Sequence, residues 1–284
     1  MKTTCIALSI VGALLNLPAR SQAQHIALSP PTSHRFSMGP LLGNLKVKDL
    51  QTSPVMYVAN PKGVQLTYEH RAAGHLLQVD VQASASRFIA PALGIRQFKF
   101  TDEQITGETT RNTVLLAPSL YQGTVEVGYL RRVNTANPAN KWRSYAGLGL
   151  HNWLGYADGV AMTTWAINAA TLNATAAGEW QIGAAHQLTL QGAVPLVGLV
   201  SRLPYSNVLS YPERRYFDLF FSKGTHVATW NRLQRLHLQA GYRASLSRHL
   251  GLSLQYQLEW FHYSEPRSIS TLAHQGALQL AYAF

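Results

Sequence analysis

The stretch Gly251-Leu-Ser-Leu-Gln-Tyr-Gln-Leu-Glu-Trp260 alternates strictly, with Leu252, Leu254, Tyr256, Leu258 and Trp260 interleaved with Ser253, Gln255, Gln257 and Glu259. Successive side chains of an extended strand point to opposite faces, so this segment has one wholly apolar face and one wholly polar face. Before it, Leu236, Leu238, Ala240, Tyr242, Ala244 and Leu246 alternate with His237, Gln239, Gly241, Arg243 and Ser245, and Arg248-His249 between the two runs reads as a tight turn. After it, Leu278, Leu280, Tyr282 and Phe284 share one face and Ala277, Gln279, Ala281 and Ala283 the other. Further hairpins follow the same period upstream. Val64, Leu66 and Tyr68 lead across Ala72-Ala73-Gly74 to Leu77, Val79, Val81 and Ala83; Val125, Val127 and Tyr129 lead across 134–140 to Ala146, Leu148 and Leu150; and the run Trp165 to Trp180 leads across Gly183-Ala184-Ala185 to Leu188, Leu190 and Val194.

These runs are about 9 to 16 residues long. Globular strands average about 5–6 residues, whereas a tilted strand crossing a membrane needs about 9–11. Short connections near 71–74, 134–140, 183–186 and 247–250 alternate with longer ones near 88–115, 156–163 and 201–230, as in transmembrane barrels with short turns on one side and long loops on the other. His34 to Val47 supplies a first strand and brings the number to ten; a hairpin over Arg215 to Thr229 would bring it to twelve. The fold expected is all-β: a transmembrane antiparallel up-and-down β-barrel of 10 to 12 strands. A soluble secreted β-sandwich is the competing reading, and its strands would be shorter.

Composition agrees. Of 284 residues, 13% are charged, about half the usual share, and 46% are hydrophobic, too many for disorder. Residues 1–23 carry Lys2, an apolar stretch from Ile6 to Leu17 and the ending Ser21-Gln22-Ala23, the pattern of a secretory signal peptide cleaved after Ala23. Cleavage removes the one cysteine, Cys5, and lowers the net charge from +11 to +9 through loss of Lys2 and Arg20. An exported basic chain meets acidic lipid headgroups or anionic solutes rather than nucleic acid. The domain plan is 1–23 signal, 24–61 an N-terminal arm or first strand, and 62–284 the barrel, with 24–61 part of the same domain. Gly159 to Gly178 lacks charge, but its Thr163, Thr164, Asn168, Thr171, Asn173 and Thr175 are too polar for a spanning helix.

In hydrocarbon every backbone N–H and C=O needs a partner within the protein, so amphipathic strands cross a membrane as a closed barrel. Tyr68, Tyr129, Trp142, Tyr145, Trp153, Tyr156, Trp180, Tyr242, Trp260 and Tyr282 suit the interfacial girdles of such a barrel. The final strand, Ala277-Leu-Gln-Leu-Ala-Tyr-Ala-Phe284, resembles the terminal signal of bacterial outer-membrane β-barrel proteins, and the whole is similar to barrels common in Bacteroidota. That resemblance implies an outer-membrane location, a monomer, contact with outer-membrane lipids, and reading of Tyr282 and Phe284 by the barrel assembly machinery.

Parity places Glu69, Asp80, Glu126, Arg243 and Glu259 inside, paired with one another and with Gln78, Gln255 and Gln257, because unpaired buried charge is costly. At this strand number a narrow or filled lumen is expected; a small porin-like pore lined by these charges is the other possibility. The role expected is passive, as a small pore or a binding or structural barrel. His262-Tyr263-Ser264 resembles the His-x-Ser of outer-membrane phospholipases and lipid A deacylases, which implies a surface acyl hydrolase as an alternative. It departs from those families in that no Asn follows Ser264 and Glu265 has the opposite parity. Glu213-Arg214-Arg215 with Tyr211, Tyr216 and Phe217 suggests a loop contact for lipopolysaccharide or a small solute. Asp102, Glu103 and Glu108 do not match calcium-loop spacing. No phosphate loop or Cys/His metal motif is present, so neither cofactor nor metal is expected.

Overall fold

The computed structural model describes residues 33–93, 97–103, 109–115, 117–134, 141–160, 163–203 and 216–284. Residues 1–23, read above as a signal peptide, and residues Tyr211 to Arg215 lie outside the described residues, as does Glu108. The described residues all belong to one unit, Pro31–Phe284. Its strands are β1 (Ser33–Asp49), β2 (Ser53–Ala59), β3 (Lys62–Arg71), β4 (His75–Ile89), β5 (Gln97–Glu103), β6 (Thr109–Leu115), β7 (Ser119–Arg132), β8 (Trp142–Val160), β9 (Thr163–Ile182), β10 (His186–Arg202), β11 (Thr225–Ala228), β12 (Leu233–Ser245), β13 (Leu250–Tyr263) and β14 (Ile269–Ala283). One short helix, α1, spans Tyr216–Ser222.

All but β5 and β6 lie in a single antiparallel sheet that closes on itself. Two of its crossings are interrupted strands. β2 and β3 follow one another along β1 and break at Asn60-Pro61, where proline has no N–H to give to a ladder. β11 and β12 likewise follow one another along β10. The ring therefore has ten crossings. The segment 216–228, considered above for an extra hairpin, forms α1 and β11 instead. The two-sheet sandwich does not form, since β1 pairs with β14 from Arg35↔Ala283 to Asp49↔Ile269 and leaves no free edge. β5 and β6 make a separate hairpin within the connection from β4 to β7.

The connection expected at 156–163 is not a loop. β8 runs for 19 residues and β9 for 20, and they meet almost directly. Their pairing extends from Trp142↔Trp180 to Val160↔Thr163, so these strands continue well past the length needed to cross the hydrocarbon. The short turn at 183–185 needs its glycine, because Gly183 has φ of +66°, in the left-handed region.

The outward face is apolar, with Leu42 60% exposed, Leu150 60%, Leu190 59% and Leu280 57%. A belt of this kind suits lipid. Tyr129, Trp142, Tyr156, Trp180, Trp260 and Tyr282 are exposed on it as expected of girdle residues. Tyr145 and Trp153 are corrections: both are buried in the lumen, because the odd positions of β8 point inward.

At the closing seam the ladder skips Gly39 and Pro40. A Cβ on Gly39 would lie 2.7 Å from the Cα of Gln279 and closer still to the Leu278 carbonyl oxygen. Gly39→Ala should therefore push β1 off β14 and destabilise the closed barrel by roughly 1–3 kcal/mol, the usual cost of overpacking. A lower temperature for loss of the compact electrophoretic form would register it; an unchanged temperature would contradict the close approach.

Candidate functional site

Inside the ring the side chains form tiers. Nearest the short turns, Glu69 accepts hydrogen bonds from Arg243 Nη2 at 2.7 Å and from Arg35 Nη1 at 3.2 Å. Arg71 reaches to Glu179 on the far wall with Nη1 2.5 Å from Oε2, and its Nη2 meets Oε1. The Tyr145 hydroxyl lies 3.4 Å from the same carboxylate. β3 is four places from both β9 and β12 on the ring of ten, so the Arg71 and Glu69 contacts span nearly the full width of the lumen.

The next tier is built of amides. Asp80 accepts from Gln65 at 2.6 Å, Thr67 at 2.8 Å and Gln82 at 2.7 Å. Gln65 also donates to Gln255 and Gln82 to Gln257, so both cross to β13. Gln279 donates to Thr67 at 3.1 Å. Above this, Arg235 donates to both oxygens of Glu259 at 3.0 and 3.2 Å, His151 Nε2 lies 4.0 Å from Glu259, and His237 Nδ1 lies 3.4 Å from Glu126. Gln191 donates to Glu126 at 3.3 Å.

Towards the other end the same inward face turns apolar. Leu45, Val47, Tyr57, Phe88, Leu120, Trp153, Trp165, Ile167, Phe261 and Tyr263 belong to one buried cluster. A buried ion pair caps it: Arg202 Nη2 is 2.5 Å from Asp49 Oδ1, Trp165 Nε1 donates to Asp49 Oδ2 at 2.9 Å, and Arg202 Nη1 donates to the Glu265 carbonyl at 2.9 Å. Cavities between these tiers include two of about 30 and 40 Å³. Each is room for a water or a few, far below the roughly 300 Å³ at which ligand pockets begin.

The five charges expected inside all face the lumen: Glu69, Arg243 and Glu259 are in ion pairs, Glu126 lies beside His237 and Gln191, and Asp80 is held by the neutral donors Gln65, Thr67 and Gln82. Their partners differ from the expectation in part: Gln255 and Gln257 bond to other glutamines, and Gln78 lines the second cavity instead of joining a carboxylate. Sequence reasoning missed Arg35, Arg71, Arg235, Glu179, His151, Asp49 and Arg202. Arg235 and His237 were within reach, having the inward parity of Arg243 on the same strand. Among the described residues no group of three or more His, Cys, Asp or Glu is placed to hold a metal ion, and no helix is long and apolar enough to cross a membrane.

No protein-family model matches the chain, and no curated protein does. Among solved structures, the outer membrane protease OmpT from Escherichia coli superposes with a TM-score of 0.51 at 9% identity, over 91% of this chain and 99% of that one. The translocator domain of the autotransporter NalP from Neisseria meningitidis gives 0.37 at 12% identity over 100% and 98%. Ail, the attachment invasion locus protein of Yersinia pestis, gives 0.30 at 11% over 90% and 100%. The chain has the fold of the bacterial outer-membrane β-barrels. With that fold and its apolar belt, the barrel is an outer-membrane protein.

On the outside of this outer-membrane barrel, His262 shares the lipid-facing parity of Trp260, and the two rings lie nearly parallel at 6.4 Å. The hydroxyl beside its Nδ1 is Ser270 of β14, at 2.8 Å, not Ser264. Register explains it, since His262 and Ser270 are directly paired. Tyr282 is exposed and stacks on His249 at 6.0 Å, and the exposed Phe284 stacks on His34 at 5.5 Å. Tyr68 and Tyr242 each meet a histidine, His34 and His186, at 2.8 Å, so histidines join the tyrosine girdle at the short-turn end. Tyr216 and Phe217 fall in α1 and Asp102 and Glu103 in β5.

Arg235 is 2% exposed and relies on Glu259. Glu259→Ala should strand that charge and cost roughly 3–5 kcal/mol, while Arg235→Met with Glu259→Leu should recover most of the loss. Urea unfolding in lipid vesicles measures both; equal destabilisation by the single and double variants would contradict the pairing argument.

Proposed function

We propose that the protein is a closed outer-membrane barrel with a binding or structural role carried by its outer surfaces, and that its lumen does not conduct solutes. The observation that carries this reading is the filling of the lumen from the wall itself, by paired polar tiers near the periplasmic end and an apolar tier near the outer end. A pore of the same strand number would need a continuous wet path, and the apolar tier offers a desolvated barrier to ions. Exposure of Tyr282 and Phe284 supports recognition of the terminal strand by the barrel assembly machinery. In a planar lipid bilayer, folded and heat-modifiable protein should give no discrete conductance steps. Reproducible steps that change on Glu126→Gln or Arg243→Gln would replace this reading with a pore.

A surface acyl hydrolase is the second reading, favoured by the His262–Ser270 contact on the lipid-facing side. An imidazole at hydrogen-bond distance can take the proton of a serine hydroxyl as the oxygen attacks an ester carbonyl. With phospholipid in mixed micelles, His262→Ala and Ser270→Ala should abolish acyl release and Ser264→Ala should spare it. Loss on Ser264→Ala alone would restore the His-x-Ser pair, and absence of release from the native chain would end the hydrolase reading.

A further inference from the structure

On one side the apolar belt is broken by cations. The outward residues of β1 run Phe36, Met38, Leu42 and then Asn44, Lys46 and Lys48; Asn60 and Lys62 follow on the adjoining crossing and Arg87 on β4. All four cations are exposed. The ladder holds them side by side: Lys46 opposite Val58, Lys48 opposite Met56, Lys62 between Leu42 and Ala85, and Asn60 tied to β4 by its N–H donating to Ser86 Oγ at 2.9 Å. At the centre Asn44 Nδ2 donates to Asn60 Oδ1 at 2.9 Å, which leaves the Asn44 side-chain carbonyl to accept and the Asn60 amide N–H groups to donate. Across the other edge of β1, Asn44 is paired with His274, whose Nδ1 is 2.7 Å from the Tyr256 hydroxyl.

Among the described residues none of these four cations has a carboxylate partner. The acids of the same strands, Asp49, Glu69 and Asp80, all point inward. Three of the chain's seven lysines are thus gathered where no carboxylate among the described residues neutralises them.

Depth fixes what does. The row Tyr68, Phe36 and Tyr282 lies in register and marks the periplasmic interface. A strand tilted by about 40° rises through a hydrocarbon band of about 25 Å in about 10 residues, which from Phe36 leads to Lys46. Lys46 and Lys48 therefore lie at the headgroup level of the outer leaflet, and the stems of Lys62 and Arg87 can carry their charges up to it. Such charges attract anionic headgroups, and phosphate oxygens are their strongest partners.

We propose that this face binds the phosphorylated sugar headgroup of a glycolipid in the outer leaflet, with Lys46, Lys48, Lys62 and Arg87 on phosphate oxygens and Asn44 and Asn60 on sugar hydroxyls. The site stands apart from the lumen and holds whether or not the barrel conducts.

The probes are bis-phosphorylated lipid A and its phosphate-free counterpart, added to the full-length folded protein in detergent and followed by native mass spectrometry. The native chain should retain the phosphorylated lipid and hold the phosphate-free one at least about tenfold less well. The variant Lys46→Gln, Lys48→Gln, Lys62→Gln, Arg87→Gln should lose that preference, whereas Arg131→Gln at the periplasmic end should keep it. If the fourfold variant fails to give the heat-modifiable form, Lys46→Gln with Lys48→Gln is the second variant and should lower retention severalfold. Equal retention of both lipids by the native chain, or undiminished retention by either folded variant, overturns the proposal.

Discussion

A backbone N–H left without an acceptor in hydrocarbon costs several kcal/mol, and β1 and β14 would each carry a row of such groups if they did not meet. Their thirteen-residue register, completed by the reciprocal bonds between His34 and Phe284, is what makes a ring out of a sheet. The rest of the architecture follows from that closure. Once the ring exists, one parity of every strand must face lipid and the other must face a confined interior. The apolar side has no choice of partner, and the polar side must be satisfied within a space a few side chains wide.

That confinement explains the interior. With ten crossings the opposite walls are close enough for arginine and glutamine side chains to touch across the gap, as Arg71 does Glu179 and Gln82 does Gln257. Charges enter such a space in balanced sets, since a single unpaired one would be expensive. The change from paired polar tiers to a cluster of Trp, Phe and Leu on the same inward parity means that the barrel has two kinds of core stacked end to end. One is held by geometry-specific hydrogen bonds and the other by packing.

Period-two alternation made the fold legible, because burial on one side leaves an imprint on every second residue. It read Leu252 to Trp260 without ambiguity and gave the lumen charges their direction. It failed where the imprint is erased. Towards the far end of β8 both faces carry large apolar residues, Trp153 inward and Leu154 and Tyr156 outward, so the pattern there does not tell lumen from lipid and Trp153 reads equally well as a girdle residue. The pairing of Glu69 with Arg243, or of Asp49 with Arg202, depends on which strands face one another across the ring, and one strand's pattern does not hold that information. His262 shows the same limit: its neighbour two residues along was visible in the chain, while its neighbour across the ladder, Ser270, required the register.

In this barrel the apolar tier is made of wall residues such as Phe88, Trp153, Trp165 and Phe261. The side chains that fill the lumen and the connections between strands are thereby different parts of the sequence. If the lumen is closed as proposed, the connections at that end can lengthen or shorten without disturbing the side chains that fill it.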